Sequence, residues 1–161
     1  MLLPRNNMKK QLRSFGYAFE GLWGAIRTES HLRFHLVAAL YVCIFALLGE
    51  FSASQWGVLI LTICAVISAE LVNTALEDLC DLYSTEKNPR IKRIKDIAAC
   101  AVLIFAIGAV IVAILLFITT GKLQLAFSKL TAEPLWFIPL GLSAVVSAFF
   151  VIFGGRKKAS D

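Results

Sequence analysis

The sequence predicts an all-α integral membrane protein, in which an N-terminal amphipathic surface helix precedes a bundle of transmembrane helices. Of the 161 residues, 58% are hydrophobic, and the mean hydropathy of +0.76 belongs to the membrane class. Four apolar segments run longer than any soluble strand requires, and little chain remains for a second domain. These segments cover roughly residues 34–49, 56–80, 97–119 and 135–153.

The first predicted element is an amphipathic helix over residues 8–28. Apolar side chains recur there at 4-3-4-3 spacing, and charged side chains take the other face. The apolar set is Met8, Leu12, Phe15, Phe19, Leu22, Trp23 and Ile26, and the charged set is Lys9, Lys10, Arg13, Glu20 and Arg27. This pattern favours a helix on the cytoplasmic membrane surface, with a helix packed on the bundle as the alternative. It lacks the continuous apolar core of a cleavable signal.

The second apolar segment is unusual in its length. About 20 residues at ~1.5 Å rise cross the hydrocarbon core, which segments 97–119 and 135–153 satisfy and 34–49 nearly satisfies. In the second segment the uninterrupted part, Trp56–Ala69, covers only ~21 Å. We therefore expect this helix to continue through Glu70, with its acids facing protein.

The orientation follows from the distribution of lysine and arginine. Fourteen of the 16 fall on one side of the predicted topology, and only Lys122 and Lys129 fall on the other. By the positive-inside rule, both termini and the 81–96 loop are cytoplasmic, as in a multi-pass protein of the bacterial inner membrane. The net charge of +5 thus reflects topology and attraction to anionic lipid or nucleotide, and no motif supports binding of nucleic acid.

The stretch AELVNTALEDLCDL, residues 69–82, places acids where a membrane helix is still running. At 100° per residue, four polar side chains share an arc of about 80° and form one polar stripe on this helix: Glu70, Asn73, Glu77 and Asp81. A carboxylate inside the membrane costs several kcal/mol, so it usually has a function. The alternative is that this stripe pairs with basic residues to fix helix packing, and Asp81, beside a basic loop, fits that role best.

Charged groups from two other segments reach the same depth. Glu29, between the surface helix and the first span, could join Glu77 in binding Mg²⁺, which needs only one or two carboxylates besides waters and phosphates; capping a helix is its alternative role. Lys95 lies at the start of the third span, where a helix N-terminus favours anions, although a topology signal explains its basic neighbours equally well. These residues indicate metal-dependent chemistry or ion coupling at the inner membrane surface. The sequence contains no P-loop and no kinase glycine loop.

The same stretch resembles the E-[LI]-x-N-[TS]-A-[IL]-E-x-x-x-D signature of the prokaryotic integral-membrane diacylglycerol kinase and undecaprenol kinase family. Further similarity lies in GYAFEGLWGAIRTESHLRFHL and in KDIAACAVLI, so the resemblance covers residues ~10–118. It implies that Glu70 is the general base in phosphoryl transfer from MgATP to a lipid hydroxyl. It further implies that Glu29 and Glu77 bind the metal and that Asn73 orients the site.

The resemblance also assigns Lys95 and Asp96 to contact with the nucleotide, and it implies a homotrimer with composite active sites. FEGLW, the TES junction and RFH at 33–35 resemble the undecaprenol kinases more than the diacylglycerol kinases. Undecaprenol is therefore the expected lipid substrate, and diacylglycerol is the alternative. His35, at the membrane edge, is interpreted as a structural polar group.

The chain departs from the family pattern in having a fourth span. We expect a lipid kinase domain over residues 1–120, followed over 121–161 by an external connection, an extra transmembrane helix at ~135–153 and a basic cytoplasmic tail. Small residues give the extra helix a face for packing. A proton- or cation-coupled carrier is the alternative from another functional class, but the 50–55 and 120–134 connections offer no acids aligned with a path.

Overall fold

The computed structural model describes residues 5–84 and 86–155, without the side chains of residues 5–7 and 9. All regular secondary structure in these ranges is helical, which confirms the all-α prediction. The predicted basic tail, Arg156 to Lys158, and the charged group of Lys9 lie outside this description. The helices are α1 (Arg5–Thr28), α2 (Ser30–Leu48), α3 (Ala53–Tyr83), α4 (Pro89–Ala113), α5 (Lys122–Ala132) and α6 (Phe137–Phe153).

Four helical segments are long and apolar enough to cross a membrane, which confirms the predicted membrane bundle. A π-helical turn, Ile114–Ile118, extends α4, and a 3₁₀ turn, Pro134–Trp136, precedes α6. The four segments are Ser30–Leu48, Ala53–Tyr83, Pro89–Ile118 and Pro134–Phe153. Most of their large apolar side chains are exposed, as expected where lipid tails rather than water surround the protein.

Helix α3 continues through the acidic stretch without a break, as its sequence predicted. It begins at a capping box, in which Ser52 Oγ accepts from the Gln55 backbone and the Gln55 side chain accepts from the Ser52 backbone. It ends only at Tyr83, so its 31 residues extend over ~46 Å at helical rise. That is longer than the ~30 Å hydrocarbon core, and the last turns of α3, which carry Glu77 and Asp81, therefore extend beyond the lipid.

The connection that was predicted for residues 121–134 contains a helix of its own. Gly121 has a left-handed backbone (φ 69°), which turns the chain out of the π-helical turn and into α5. Ala126 and Leu130 of α5 are buried, and Phe127 packs on Phe45 of α2 with ring centroids 5.7 Å apart. Beneath it lies the apolar cluster of Ala46, Phe51, Leu59 and Phe117. This layer ties α2, α3 and α4 together at the end remote from the acids.

Helix α1 has an exposed apolar stripe. Met8, Leu12, Phe15, Phe19 and Trp23 are each more than half exposed. Only the last part of the helix packs closely, where Ala25 is buried between α1 and its neighbours. These exposed side chains favour a helix that rests on a membrane surface over one whose stripe packs into the bundle.

Glu50, in the turn between α2 and α3, contacts two lysines of α5. Lys129 Nζ donates to its carboxylate at 2.5 Å, and Lys122 Nζ donates to its backbone carbonyl at 2.9 Å. The hydrogen bond and charge of Lys129 hold the pKa of the Glu50 carboxyl below its usual range, and the charge of Lys122 acts in the same direction. A carboxyl whose pKa is lower in the folded state stabilises the fold above its unfolded pKa, and this stabilisation is lost as the pH falls through the folded pKa.

We therefore predict that Glu50→Gln flattens the acid side of the stability profile. Between about pH 7 and about pH 3, the melting temperature of the wild type in detergent should fall further than that of the variant. Glu86→Gln, which changes an exposed acid at the other end of the molecule, serves as the control and should follow the wild type. Parallel profiles for the wild type and Glu50→Gln would show that this pair does not contribute.

Candidate functional site

Glu70 is buried between α3 and α2, where it meets a histidine. Its exposed fraction is 6%, and its Oε1 lies 3.4 Å from Nε2 of His35. The two helices are consecutive and antiparallel, so the first turns of α2 lie beside the later turns of α3. His35 was interpreted as a structural polar group, but the structure places it directly against the residue predicted to be the base.

Asn73 and Glu77 form a second pair, one turn further along α3. Asn73 Nδ2 donates to Glu77 Oε1 at 2.9 Å, as two residues at i and i+4 on one helix face can do. The carbonyl oxygen of the Asn73 side chain is buried and accepts no hydrogen bond from the described part of the chain. The Asn73 amide thus orients the Glu77 carboxylate through its N–H group, and its own oxygen remains able to accept a hydrogen bond or to bind a cation.

Glu29 occupies the N-cap position of α2, between α1 and α2. Its extended backbone turns the chain, but its carboxylate makes no capping hydrogen bond to α2. Its neighbour Thr28 lines a cleft of about 530 Å³ between α1 and α3. Asp78, next to Glu77, lines the same cleft. Glu29 and Glu77 themselves do not line this cleft, so what the structure brings together there is their neighbours in sequence.

This cleft exists because α1 presents small residues to α3. Gly21, Gly24 and Ala25 leave room between the two helices, and Tyr17, Thr28 and Thr74 give the cleft polar groups. Its wall thus combines an aromatic ring, hydroxyls and a carboxylate beside the polar stripe of α3. Apolar side chains form most of the rest of the wall: Ala18, Leu22, Leu71 and Ala75.

Lys95 and Asp96, which were predicted to contact the nucleotide, each make a side-chain hydrogen bond. Because α4 begins at Pro89, they lie in its second turn and not at its N-terminus, where Lys95 was expected. Lys95 Nζ donates to Asp81 Oδ1 at 2.5 Å, which links α4 to α3, and Lys92 Nζ donates to Asp96 Oδ2 at 2.5 Å within α4. The pairing of Asp81 with a basic residue is the packing role that its depth suggested. Lys95 still lies beside the stripe, since the Glu77 carboxylate is also within electrostatic reach of its ammonium.

The donor set fits a hard divalent cation such as Mg²⁺. Glu29, Glu77 and the open Asn73 carbonyl all offer oxygen, and Mg²⁺ is held by one or two carboxylates with waters and phosphate oxygens. Across residues 5–84 and 86–155 there is no group of three or more His, Cys, Asp or Glu side chains that could enclose a metal ion.

A narrow apolar groove of about 100 Å³ runs from His35 between α2, α3 and α4. Small side chains open it on α2 and α4, and branched side chains of α3 form its floor. Because His35 lines the groove and contacts Glu70, one end of the groove lies near the buried carboxylate, although Glu70 itself does not line it. The lining residues are His35, Ala38, Ala39, Val42, Leu59, Thr62, Ile63, Val66, Ile67, Ala109, Val112 and Ala113.

Comparisons with known proteins show which family the sequence resembles over most of its length. The model of the prokaryotic diacylglycerol kinase family matches residues 16–117, more than half of the chain. The undecaprenol kinase of Bacillus subtilis is 39% identical over 114 residues, which cover 71% of this chain and 93% of that protein. The diacylglycerol kinase of Synechocystis is 42% identical over 102 residues (63% of this chain, 58% of that protein), and that of Escherichia coli K12 is 32% identical over 100 residues (62% and 82%).

The contact between His35 and Glu70 predicts energetic coupling of the two side chains. His35→Ala leaves the buried carboxylate without this partner, which should cost about 1–3 kcal/mol of unfolding free energy. When Glu70→Gln is combined with it, the loss should be less than additive, by about 0.5 kcal/mol or more. The free energy of unfolding is measured in mixed micelles for the wild type, for each single variant and for the double variant. His31→Ala, at an exposed histidine of the same helix, should instead be additive with Glu70→Gln, and additivity for His35 would contradict the coupling.

Proposed function

Because the chain belongs to the prokaryotic diacylglycerol kinase family, and is thus a kinase of membrane lipids, we propose that its acceptor is undecaprenol and its phosphoryl donor is MgATP. The observation that carries this proposal is the position of Glu70: a buried carboxylate where an apolar groove meets the polar stripe of α3. A polyprenyl chain in the groove would bring its terminal hydroxyl to this carboxylate.

The choice of undecaprenol over diacylglycerol rests on similarity along the chain. The Bacillus subtilis undecaprenol kinase is 39% identical and matched over 93% of its length, whereas the diacylglycerol kinase of Escherichia coli K12 is 32% identical and matched over 82%. The shape of the groove supports the same choice, since it is narrow and lined by single methyl groups and branched side chains. Diacylglycerol, with two acyl chains, is the alternative acceptor.

In the proposed reaction, Glu70 removes the proton of the lipid hydroxyl as its oxygen attacks the γ-phosphorus. The new O–P bond forms as the bond between the γ-phosphorus and the bridging oxygen breaks, and ADP leaves. The proton passes to the Glu70 carboxylate and then to solvent. His35 holds that carboxylate in place, so that the base is oriented before the lipid arrives.

The negative charge of the transferring phosphoryl group would be neutralised next to the cytoplasmic part of the polar stripe, which carries Asn73 and Glu77. Glu29 and Glu77 would hold Mg²⁺, which supplies positive charge to the transferring phosphoryl group, and Asn73 fixes the orientation of Glu77. The cleft between α1 and α3 is the proposed place of the nucleotide. Lys95 has three N–H donors, so it can keep its hydrogen bond to Asp81 and still donate to a phosphate, while Asp96 follows it in the second turn of α4.

The topology, the domain organisation and the assembly of the protein are also proposed. Positive-inside topology places both termini and the site at the cytoplasmic face, where ATP is present. The residues from 1 to about 120 would form the kinase domain, and residues 121–161 would form an addition to it. By family resemblance the assembly is a homotrimer. Since membership in a kinase family explains the acids, no observation favours the carrier alternative.

An assay of lipid products tests the substrate. Purified protein in detergent receives γ-labelled ATP, Mg²⁺ and either undecaprenol or diacylglycerol, and labelled lipid is separated and counted. We expect kcat/KM for undecaprenol to exceed that for diacylglycerol by more than about tenfold, because the groove fits a single chain. Equal or better use of diacylglycerol would contradict the substrate assignment, and no labelled lipid from either would contradict the proposed reaction.

Two variants separate the proposed base from the proposed metal ligand. Glu70→Gln should lower kcat by about 10²–10⁴-fold while leaving the affinity for MgATP nearly unchanged, because it removes only the proton acceptor. Glu77→Gln should also raise the Mg²⁺ concentration needed for half-maximal rate. Glu86→Gln, at an exposed acid outside the stripe, is the control. Near-normal turnover in Glu70→Gln would rule out its role as base.

A further inference from the structure

The fourth transmembrane helix is attached to the candidate site by one buried arginine. Arg33, in the first turn of α2, is only 3% exposed. Its Nη1 donates to the backbone carbonyl of Ile26 in α1 at 2.8 Å, and its Nε and Nη2 both donate to the carbonyl of Val151 in α6 at 3.3 Å. A single side chain thus joins three helices.

The two carbonyls explain why a buried guanidinium is tolerated here. Ile26 and Val151 lie in the last turns of α1 and α6, where backbone carbonyls have no partner within their helix. Both helices also present the negative ends of their dipoles to the guanidinium. Across residues 5–84 and 86–155, the hydrogen bonds of this guanidinium go to these carbonyls and to no carboxylate.

The contact between α2 and α6 continues away from the site. Tyr41 Oη lies 2.9 Å from Ser143 Oγ and 3.5 Å from Ser147 Oγ, about 12 Å along α2 from Arg33 at helical rise. At the other end, Gly155 lies so close to Arg33 that a Cβ there would stand 2.8 Å from the guanidinium. A side chain at this position, just past the end of α6, would therefore have to displace the guanidinium, and it would stand 3.0 Å from the backbone carbonyl of Arg27.

Arg33 also bounds the segment that carries Glu29. The backbone N–H of Arg33 donates to the carbonyl of Glu29 at 3.3 Å, and the N–H of Glu29 donates to the carbonyl of Ala25 at 2.8 Å. The direction of the Glu29 side chain therefore depends on the angle between α1 and α2. Arg33 fixes that angle, since it spans the junction from α2 back to Ile26, and α6 in turn holds Arg33.

We propose that Arg33 is a positioning residue through which α6 holds Glu29 in the geometry needed to bind the metal–nucleotide. The inference rests on the proposed function, because it assigns a purpose to the fourth span for that same site. Residues that hold a metal ligand in place typically change metal affinity by 10–100-fold when they are replaced. The coupling should therefore appear in the binding of MgATP rather than in the use of the lipid.

The test compares full-length variants on the two sides of this contact. Arg33→Gln removes the bridge from α2. Gly155→Leu displaces the guanidinium from the side of α6 without substituting a residue of α1, α2 or α3, and its side chain also approaches the backbone carbonyl of Arg27 at the end of α1. Gly141→Leu is the matched control, because a side chain at Gly141 of α6 meets nothing within 4 Å. Four quantities are measured: the affinity for a fluorescent ATP analogue with Mg²⁺, kcat, KM for MgATP and KM for the lipid.

We expect Arg33→Gln to weaken nucleotide binding and to raise KM for MgATP by roughly tenfold or more, with kcat and KM for the lipid nearly unchanged. Gly155→Leu should move the same two quantities in the same direction, and Gly141→Leu should match the wild type. Arg33→Lys, which keeps the charge but has no planar fork to bridge two carbonyls, should recover only part of the loss.

Other outcomes would overturn the inference. If Arg33→Gln and Gly155→Leu lower kcat or the melting temperature but leave MgATP binding unchanged, the contact is merely structural. If only Arg33→Gln has an effect, α6 does not take part, and if Arg33→Gln fails to fold, Gly155→Leu decides alone. A wild type that binds MgATP but phosphorylates neither lipid contradicts the proposed function, whereas the coupling is judged from binding alone.

Discussion

Polar groups at membrane depth must find partners inside the protein, and the arrangement of α1, α2, α3 and α6 depends on this requirement. Lipid offers no hydrogen bonds, so an unpaired carboxylate or guanidinium there would cost several kcal/mol. Glu70 meets His35, and Arg33 meets the carbonyls of Ile26 and Val151. Each of these contacts crosses from one helix to another, so satisfying the polar group also fixes how the helices pack.

The same pairing leaves chemical capacity at the site. Asn73 donates to Glu77 but keeps an unpartnered carbonyl oxygen within the described structure, and the Lys95 ammonium has more donors than its hydrogen bond to Asp81 uses. Partial satisfaction of this kind is expensive in a purely structural network. It is reasonable where a charged substrate completes the network, because the bound substrate then supplies the missing hydrogen-bond and charge partners.

Patterns among residues near one another in sequence predicted the membrane-spanning helices, but they did not predict contacts between segments that are distant in sequence. The spans and the unbroken helix through Glu70 follow from apolar run length and from the 100° period, which residues near in sequence determine. Helix α5 was missed because its few buried positions, Ala126 and Leu130, make a weak periodic signal in 11 residues. The contacts of Glu70 with His35 and of Arg33 with Val151 join residues 35 and 118 positions apart, and no spacing rule connects them.

The fourth span also restricts how copies of the chain can assemble. The family match ends at residue 117, and α6 covers the side of α2 that carries Arg33 and Tyr41. That side of α2 is therefore closed to another subunit. The exposed apolar side chains of α3 and α4 remain open, and these two helices also carry Glu70, Glu77 and Lys95. A partner copy that packs there would stand beside the stripe, so the extra helix is compatible with active sites formed between subunits.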